Sequence, residues 1–266
     1  MNNEKINIII CWFGEFPNYY KLWEETVKYN PSITWTIVGP NKPPGFNNSP
    51  ANLNYLRCDK ADFQKRSLKA GIPIKDFKPY KLCDLRPAYG RIFEDILNGY
   101  DFWGFGDIDV LYGDVRSVVD GKLKGFDAIG TGSPYRVSGP LALFRNINRL
   151  NDMYLQIKLE KFQSPNNLAL DEKKWSRLLM ESSNIKCEFS EKQAGWAAAN
   201  LRWEDGKFFH GNKCLHKAIC HFGGGPSNGA RDRFFNNFSL KKLPIKSIVV
   251  YKQDEEFVFD IKYKSK

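Results

Sequence analysis

The first sixty residues alternate buried strands with a helix, and this pattern strongly restricts the folds open to the chain. Ile6–Cys11 is an almost unbroken β-branched run, which is typical of a strand covered on both faces. Asn18–Tyr29 has apolar residues at helical spacing, Ile33–Val38 is a second apolar strand, and Leu53–Leu56 is a short third one. This order predicts an α/β fold with a Rossmann-like, mostly parallel central sheet flanked by helices.

The later sequence continues the alternation and adds a small antiparallel part. Asp205-Gly206 predicts a hairpin turn between two short strands. Further strands are predicted at Asp101–Gly106, Phe126–Gly130, Leu141–Phe144 and His216–Phe222, and helices at Lys81–Asn98, Leu150–Lys161 and Glu172–Glu181. The 266 residues contain no internal repeat and no long linker, so we expect a single domain.

A pair of aspartates follows the aromatic strand Asp101–Gly106 at once. Alternate side chains on an extended backbone point the same way, so Asp107 and Asp109 are expected to project together. Two such carboxylates repel each other unless a cation or a proton lies between them. Hard ions such as Mg²⁺ and Mn²⁺ prefer carboxylate and phosphate oxygens, and Gly106 lets a ligand approach closely. The pattern favours a metal–diphosphate site over two solvated aspartates.

Two other polar groups have both a functional and a structural interpretation. Lys81, Asp84 and Arg86 lie near the start of a predicted helix, where phosphate and ribose groups are favoured. The same residues are equally consistent with the solvent-facing side of an amphipathic helix. Asp171, followed by Glu172, precedes another helix. Asp171 is therefore either a helix cap or a general base that deprotonates a hydroxyl nucleophile.

The three histidines lie close together, between His210 and His221, and Cys214 and Cys220 are interleaved with them. Structural zinc sites usually join two ligand clusters on separate loops. One compact segment with irregular spacing therefore argues against zinc. His221 ends a predicted strand and precedes a glycine-rich loop, so it is the candidate for a single metal ligand or diphosphate contact.

The charge and the missing motifs exclude several classes of protein. The net charge of +10 and the pI of about 9.2 favour anionic ligands or an anionic membrane surface. The basic residues are spread along the chain, which argues against nucleic acid as a partner. The sequence has no P-loop, no Gly-x-Gly-x-x-Gly after the first strand and no Gly-x-Ser-x-Gly. It also lacks a signal-peptide pattern and a spanning apolar run, so we expect a cytoplasmic protein, with peripheral attachment to the inner face of the membrane as an extension of that expectation.

Two segments resemble nucleotide-sugar glycosyltransferases of the GT-A fold. Asp107-Ile-Asp109 is similar to the DxD motif of that superfamily. The stretch from Phe77 to Val115, which includes Lys78-Pro-Tyr-Lys-Leu-Cys-Asp-Leu-Arg and Trp103-Gly-Phe-Gly-Asp-Ile-Asp-Val-Leu-Tyr-Gly-Asp, resembles bacterial and viral polysaccharide-type glycosyltransferase domains. The resemblance implies one GT-A-like domain over 1–266, with a nucleotide-sugar-binding half (1–115), an acceptor and catalytic half (116–230) and a basic C-terminal extension (231–266).

The same resemblance implies roles for individual residues. A UDP-sugar is expected with its base and ribose against Cys11, Trp12, Phe13 and Gly14, with Lys81 and Asp84 at the nucleotide or sugar and Asp107 at the ribose or the metal. Arg86 and Gly106 are further expected contacts of the donor. Mn²⁺ or Mg²⁺ is expected to bridge the diphosphate through Asp109, with Asp107 and His221 as further ligands. The lysine that often follows such a histidine is absent here. Asp171 and Glu172 fall where inverting members place the catalytic base, with Asp171 as the first candidate and Glu172 as the second.

The predicted function is metal-dependent transfer of a sugar from a UDP-sugar to a hydroxyl of a glycan or lipid-linked acceptor in cell-surface polysaccharide synthesis, with inversion. If Asp171 is only a cap, a retaining mechanism stays open. One alternative is a nucleotidyltransferase or metal-dependent phosphohydrolase, because paired aspartates also serve two-metal chemistry. A second alternative is a non-catalytic glycan- or nucleic-acid-binding domain, suggested by the positive charge and the aromatic content.

Overall fold

The structure, a computed structural model, describes residues 4–17, 19–75, 78–190, 194–196, 201–221, 245–253 and 256–263. Its strands are β1 (Ile6–Cys11), β2 (Ile33–Gly39), β3 (Leu53–Arg57), β4 (Phe102–Gly106), β5 (Val110–Tyr112), β6 (Ala128–Thr131), β7 (Leu141–Arg145), β8 (Cys187–Ser190), β9 (Ala194–Trp196), β10 (Leu201–Glu204), β11 (Lys207–His210), β12 (Lys213–Leu215), β13 (Ile219–His221), β14 (Ile245–Gln253) and β15 (Glu256–Tyr263).

The helices are mostly short. The α-helices are α1 (Tyr20–Lys28), α2 (Lys60–Lys69), α3 (Tyr89–Ile92), α4 (Glu94–Leu97), α5 (Val115–Leu123), α6 (Asn148–Asn151), α7 (Leu159–Phe162) and α8 (Ser176–Glu181). Three 3-10 helices cover Phe46–Asn48, Pro79–Ala88 and Met153–Gln156, and a π-helical turn covers Asp171–Trp175. No helix in the described parts of the chain is both long and apolar enough to cross a membrane.

A seven-stranded central sheet has the order β3-β2-β1-β4-β7-β6-β8. Strand β7 pairs antiparallel with both of its neighbours, whereas the remaining pairs in this sheet are parallel. A three-stranded sheet, β5-β13-β9, and a five-stranded antiparallel sheet, β12-β11-β10-β14-β15, accompany it. The predicted class, α/β with a mostly parallel central sheet and a smaller antiparallel part, is confirmed.

Helices cover both faces of the central sheet because both faces are apolar. Ile8 and Ile10 of β1 pack in one cluster with α1 and α5, and Ile9 packs on the opposite face with α2 and α3. All three side chains are at most 2% exposed. Near-continuous burial of this kind is what a β-branched run with no alternation indicates.

The six cysteines are free thiols.

The predicted helix over Lys81–Asn98 is wrong as a single element. Pro79–Ala88 is a 3-10 helix that contains Pro87, and α3 and α4 follow as separate short turns. Proline lacks the N–H of an α-helical hydrogen bond, and its ring clashes with the preceding turn. Leu150–Lys161 is likewise divided among α6, a 3-10 helix and α7.

Candidate active site

A cavity of about 600 Å³ lies at the carboxyl ends of β1 and β4. This volume is within the usual range for small-molecule sites, and the carboxyl edge of a parallel sheet is where α/β proteins bind ligands. The predicted site residues on its wall are Cys11, Trp12, Phe13, Gly14, Arg86, Gly106, Asp107, Asp109, Asp171 and Glu172. Segments far apart in the sequence therefore meet at one site.

The backbone at Asp107 is fixed by hydrogen bonds from two aromatic side chains. Its carbonyl oxygen accepts from Trp23 Nε1 at 3.2 Å and from the Tyr112 hydroxyl at 3.0 Å. A side chain at Gly106 would collide with that same hydroxyl. Ile108 is buried, 3% exposed, and lines the cavity together with Asp107 and Asp109. The backbone at the end of β4 is thus fixed beside the cavity.

Arg86 forms ion pairs with both Asp107 and Asp171. Its guanidinium contacts the Asp107 carboxylate, and its Nη1 lies 3.3 Å from Asp171 Oδ2. The group also lies over the Phe105 ring, 4.9 Å from the centroid, and the residue is only 9% exposed. Since like charges repel in a buried site, Arg86 supplies a positive charge that both carboxylates share.

Asp171 is a buried carboxyl group with a raised pKa. Burial raises the pKa of Asp171 from 3.8 to about 6, with Arg86 lowering it and Glu172 raising it further. The residue is 2% exposed and begins a π-helical turn whose N-cap position belongs to Leu170. Its carboxylate faces Arg86. A carboxyl group with a pKa close to the working pH is well suited to general base catalysis.

Glu172 lies beside Asp171 but in a different environment. It lines the same cavity, and its carboxylate lies 3.5 Å from Arg136 Nη1. The side chain is about one-third exposed, at 33%. Water therefore solvates Glu172 far more than Asp171, so Asp171 is the better placed of the two for proton transfer.

Lys81 and Asp84 are not brought to the cavity, which corrects the expectation that they contact the nucleotide or sugar. Lys81 Nζ lies 2.6 Å from Asp84 Oδ2, and the two residues are 5% and 0% exposed. Both carboxylate oxygens of Asp84 also accept backbone N–H groups from the loop before Asp171. Their hydrogen-bonding capacity is used inside the protein.

Several cavity residues were not predicted. They come from the 3-10 helix Pro79–Ala88, from α3 and from two loops, and only the fold brings these segments to the sheet edge. They include Pro79, Tyr80, Cys83, Tyr89, Gly139, Pro140, Asn167 and Ala169. Tyr80 is 75% exposed on the wall of the cavity. Gly139-Pro140 is a turn signal in the sequence, but nothing local indicates which site the turn faces.

We predict that Gly139→Ala lowers the turnover of a reaction catalysed in this cavity by about tenfold, with little loss of thermal stability. Small displacements of a catalytic group are costly. A Cβ at this position would lie 2.7 Å from Arg86 Nη1 and 3.2 Å from Asp107 Oδ2, so the ion pair must shift. Gly121→Ala in α5 is the control, because a Cβ there meets nothing within 4 Å. Steady-state kinetics and thermal unfolding of both variants test this, and unchanged turnover in Gly139→Ala would contradict it.

The Asp107 and Asp109 carboxylates are suitable donors for one divalent cation. Mg²⁺ commonly binds through one or two carboxylates plus substrate phosphates, and both side chains line a cavity large enough for a diphosphate. Asp107 also contacts Arg86, and both aspartates are candidate ligands. Among the described residues, no three His, Cys, Asp or Glu side chains form a metal-binding cluster.

His221 lies close to the aspartate pair in the backbone register. In the antiparallel pairing of β13 with β5, His221 is opposite Val110, the residue that follows Asp109. Its side chain is outside the described residues, as is the predicted glycine-rich loop at 223–229. The role of His221 as a metal ligand stays a prediction.

The fold and the cavity define an α/β protein with a carboxylate-lined cavity at the carboxyl edge of its main sheet. The chain belongs to a family described as "Family of unknown function (DUF6625)", whose match covers residues 8–222. No curated protein shows significant sequence similarity to it.

Solved structures similar to the chain include glycosyltransferases. One is the galactosyltransferase LgtC in complex with donor and acceptor sugar analogs, with 11% identity, a TM-score of 0.40 and coverage of 82% of this chain and 87% of that one. An active-site mutant of LgtC has 10% identity, a TM-score of 0.43 and coverage of 85% and 93%. The glycosyltransferase GlyE of Streptococcus pneumoniae TIGR4 has 10% identity and a TM-score of 0.41, and the match covers 72% of this chain and 46% of GlyE.

Proposed function

We propose that the chain is a metal-dependent glycosyltransferase that moves a sugar from a UDP-sugar to a hydroxyl group of a glycan or lipid-linked acceptor. One observation carries this proposal: a single cavity is lined both by the Asp107–Asp109 pair and by buried Asp171. Sugar transfer from a nucleoside diphosphate needs both features, a cation site for the leaving group and a base for the attacking hydroxyl.

In this mechanism Asp109, with Asp107, would hold Mn²⁺ or Mg²⁺. The ion, when bound, would neutralise the charge that develops on the departing diphosphate. The backbone and side chains of Cys11 to Gly14 line the part of the cavity next to β1, where the base and ribose are proposed to lie. Arg86 keeps Asp107 and Asp171 in a fixed relation, since it contacts both.

Asp171 is proposed as the base of an inverting reaction. The acceptor oxygen forms a bond to the anomeric carbon of the donor while the bond from that carbon to the diphosphate oxygen breaks. The proton of the acceptor hydroxyl passes to the Asp171 carboxylate. With the base on the face of the sugar opposite the diphosphate, the acceptor displaces the diphosphate directly. This assignment therefore implies inversion at the anomeric carbon.

Product analysis tests the proposed function. The protein is incubated with a panel of nucleotide sugars, with Mn²⁺, with Mg²⁺ or with a chelator, and the released nucleotide is identified. Release of UDP that depends on the cation supports the proposal, and a thermal shift by UDP plus Mn²⁺ identifies the donor nucleotide independently. Release of pyrophosphate or inorganic phosphate would favour the nucleotidyltransferase or phosphohydrolase alternative, and salt-sensitive oligonucleotide binding without a UDP effect would favour a binding domain.

For the cellular setting, we propose cell-surface polysaccharide synthesis at the cytoplasmic face of a membrane. The net charge of +10 predicts that the protein sediments with anionic liposomes at low salt and is released at high salt, where charges are screened. Vesicles of neutral phosphatidylcholine are the control and should bind little protein. Failure to sediment with anionic vesicles at low ionic strength would remove the membrane part of the proposal.

A further inference from the structure

Two buried charges, Lys81 and Asp84, lie outside the cavity and need an explanation of their own. A buried ion pair usually adds little net stability compared with apolar residues of similar size. The hydrogen bonds of this pair indicate what else it does. All of them beyond the pair itself are to the backbone of one segment, residues 161–170.

The pair fixes this segment at four backbone atoms. Asp84 Oδ2 accepts from Leu168 N and Asp84 Oδ1 accepts from Leu170 N, each at 2.8 Å. Lys81 Nζ donates to the carbonyl oxygens of Lys161 at 3.1 Å and Asn166 at 3.0 Å, in addition to Asp84. Charge-assisted hydrogen bonds of this kind are stronger than neutral ones.

Between the two amides bound by Asp84 lies Ala169, which has a φ of 51°. A left-handed conformation is unfavourable for alanine, so surrounding contacts must hold it. The Ala169 N–H donates to Asn167 Oδ1 at 2.7 Å, and its carbonyl oxygen accepts from Lys173 N at 2.9 Å. That second bond helps start the π-helical turn whose first residue is Asp171.

We infer that Lys81 and Asp84 are positioning residues that act through the segment 166–170 to hold the Asp171 carboxylate in the cavity against Arg86. The assignment of a catalytic consequence rests on the proposed function, while the structural part stands without it. Asn167, Ala169 and Asp171 all line the cavity, so a shift of the segment changes the site directly.

The test compares Asp84→Asn with Asp127→Asn. Asp127 is a matched control because it is also buried, pairs with Arg145 at 3.0 Å and accepts a backbone N–H from Lys186 at 3.1 Å. It precedes the first residue of β6, so it lies at the amino end of that strand, whereas the cavity lies at the carboxyl ends of β1 and β4. Three quantities are measured: amide hydrogen exchange of residues 161–175, the pKa of Asp171 by carboxyl NMR, and kcat with KM for the donor.

In Asp84→Asn we expect exchange in 161–175 to become at least about tenfold faster. The pKa of Asp171 should fall from about 6 towards 3.8, because the carboxyl group becomes better solvated. A misplaced base should lower kcat by about 30-fold or more while the donor KM changes little. Asp127→Asn should show none of these effects, even if its thermal stability falls by as much.

Unchanged exchange and an unchanged pKa of Asp171 in Asp84→Asn would overturn the inference, and so would equal changes in Asp127→Asn. These two readouts need no sugar transfer, so an inactive wild-type protein refutes the proposed function and leaves this test decisive. If Asp84→Asn does not fold, Ala169→Val replaces it, because a β-branched residue resists a φ of 51°. Ala169→Gly is its control and should keep the exchange rates, since glycine adopts that conformation freely.

Discussion

Asp109→Ala should lower cation-dependent release of UDP by about 100-fold to 1,000-fold, the loss expected when a metal that stabilises the leaving group is no longer held. Asp109 is 6% exposed, closely follows the end of β4 and lines the cavity. Its neighbour Asp107 is already shared with Arg86. The proposed function makes Asp109 a ligand of the cation, so UDP release measured against Mn²⁺ concentration should show its loss.

The control for this prediction is Asp120→Ala, which makes the same change of charge in α5. Asp120 pairs with Arg116 at 3.0 Å and its side chain is 44% exposed, so its loss should leave turnover and the Mn²⁺ requirement unchanged. The thermal shift produced by UDP plus Mn²⁺ should disappear in Asp109→Ala and persist in Asp120→Ala. Full turnover in Asp109→Ala would refute the metal assignment and, with it, the main support for a diphosphate leaving group.

Most strands of the central sheet, and the aspartate pair, could be predicted because their signals are local. A run such as Ile6–Cys11 shows its burial in its own composition. Asp107 and Asp109 both line the cavity, although the residues between β4 and β5 form a bend and not a continuous strand. Helix α2 also has a local signal, the capping box formed by Asp59 and Asp62.

The electrostatics of the site could not be predicted in the same way, because they depend on contacts between distant parts of the chain. Arg86 meets Asp171 across 85 positions, and Asp84 binds amides 84 and 86 positions away. Local charge patterning cannot tell whether a carboxylate faces a ligand or a loop backbone. The same limit explains why β14 and β15 were missed in a segment read only as a basic extension, since β14 is held by pairing with the distant strand β10.

Asp171→Asn should lower sugar transfer by about 100-fold to 10,000-fold, the usual contribution of a positioned general base. In the wild-type protein, burial raises the pKa of Asp171 to about 6. Only the deprotonated carboxylate can accept the proton of the acceptor hydroxyl. Transfer should therefore rise about tenfold per pH unit below pH 6 and level off above it, a limb well above the one expected for an ordinary carboxyl group.

The pH profile of kcat/KM tests this assignment, with Glu172→Gln as the matched control. Glu172 adjoins Asp171 and lines the same cavity, but it is more exposed and pairs with Arg136. Glu172→Gln should keep a limb close to pH 6, shifted slightly downward because Glu172 is one of the groups that raise the pKa of Asp171. Asp171→Asn should lose the limb altogether. The anomeric configuration of the product gives an independent check, because inversion requires a base on the attacking side. Retention would contradict the assignment, and so would a pH-dependent limb that survives in Asp171→Asn. Either result would give the buried Asp171 carboxyl group a purely structural role beside Arg86.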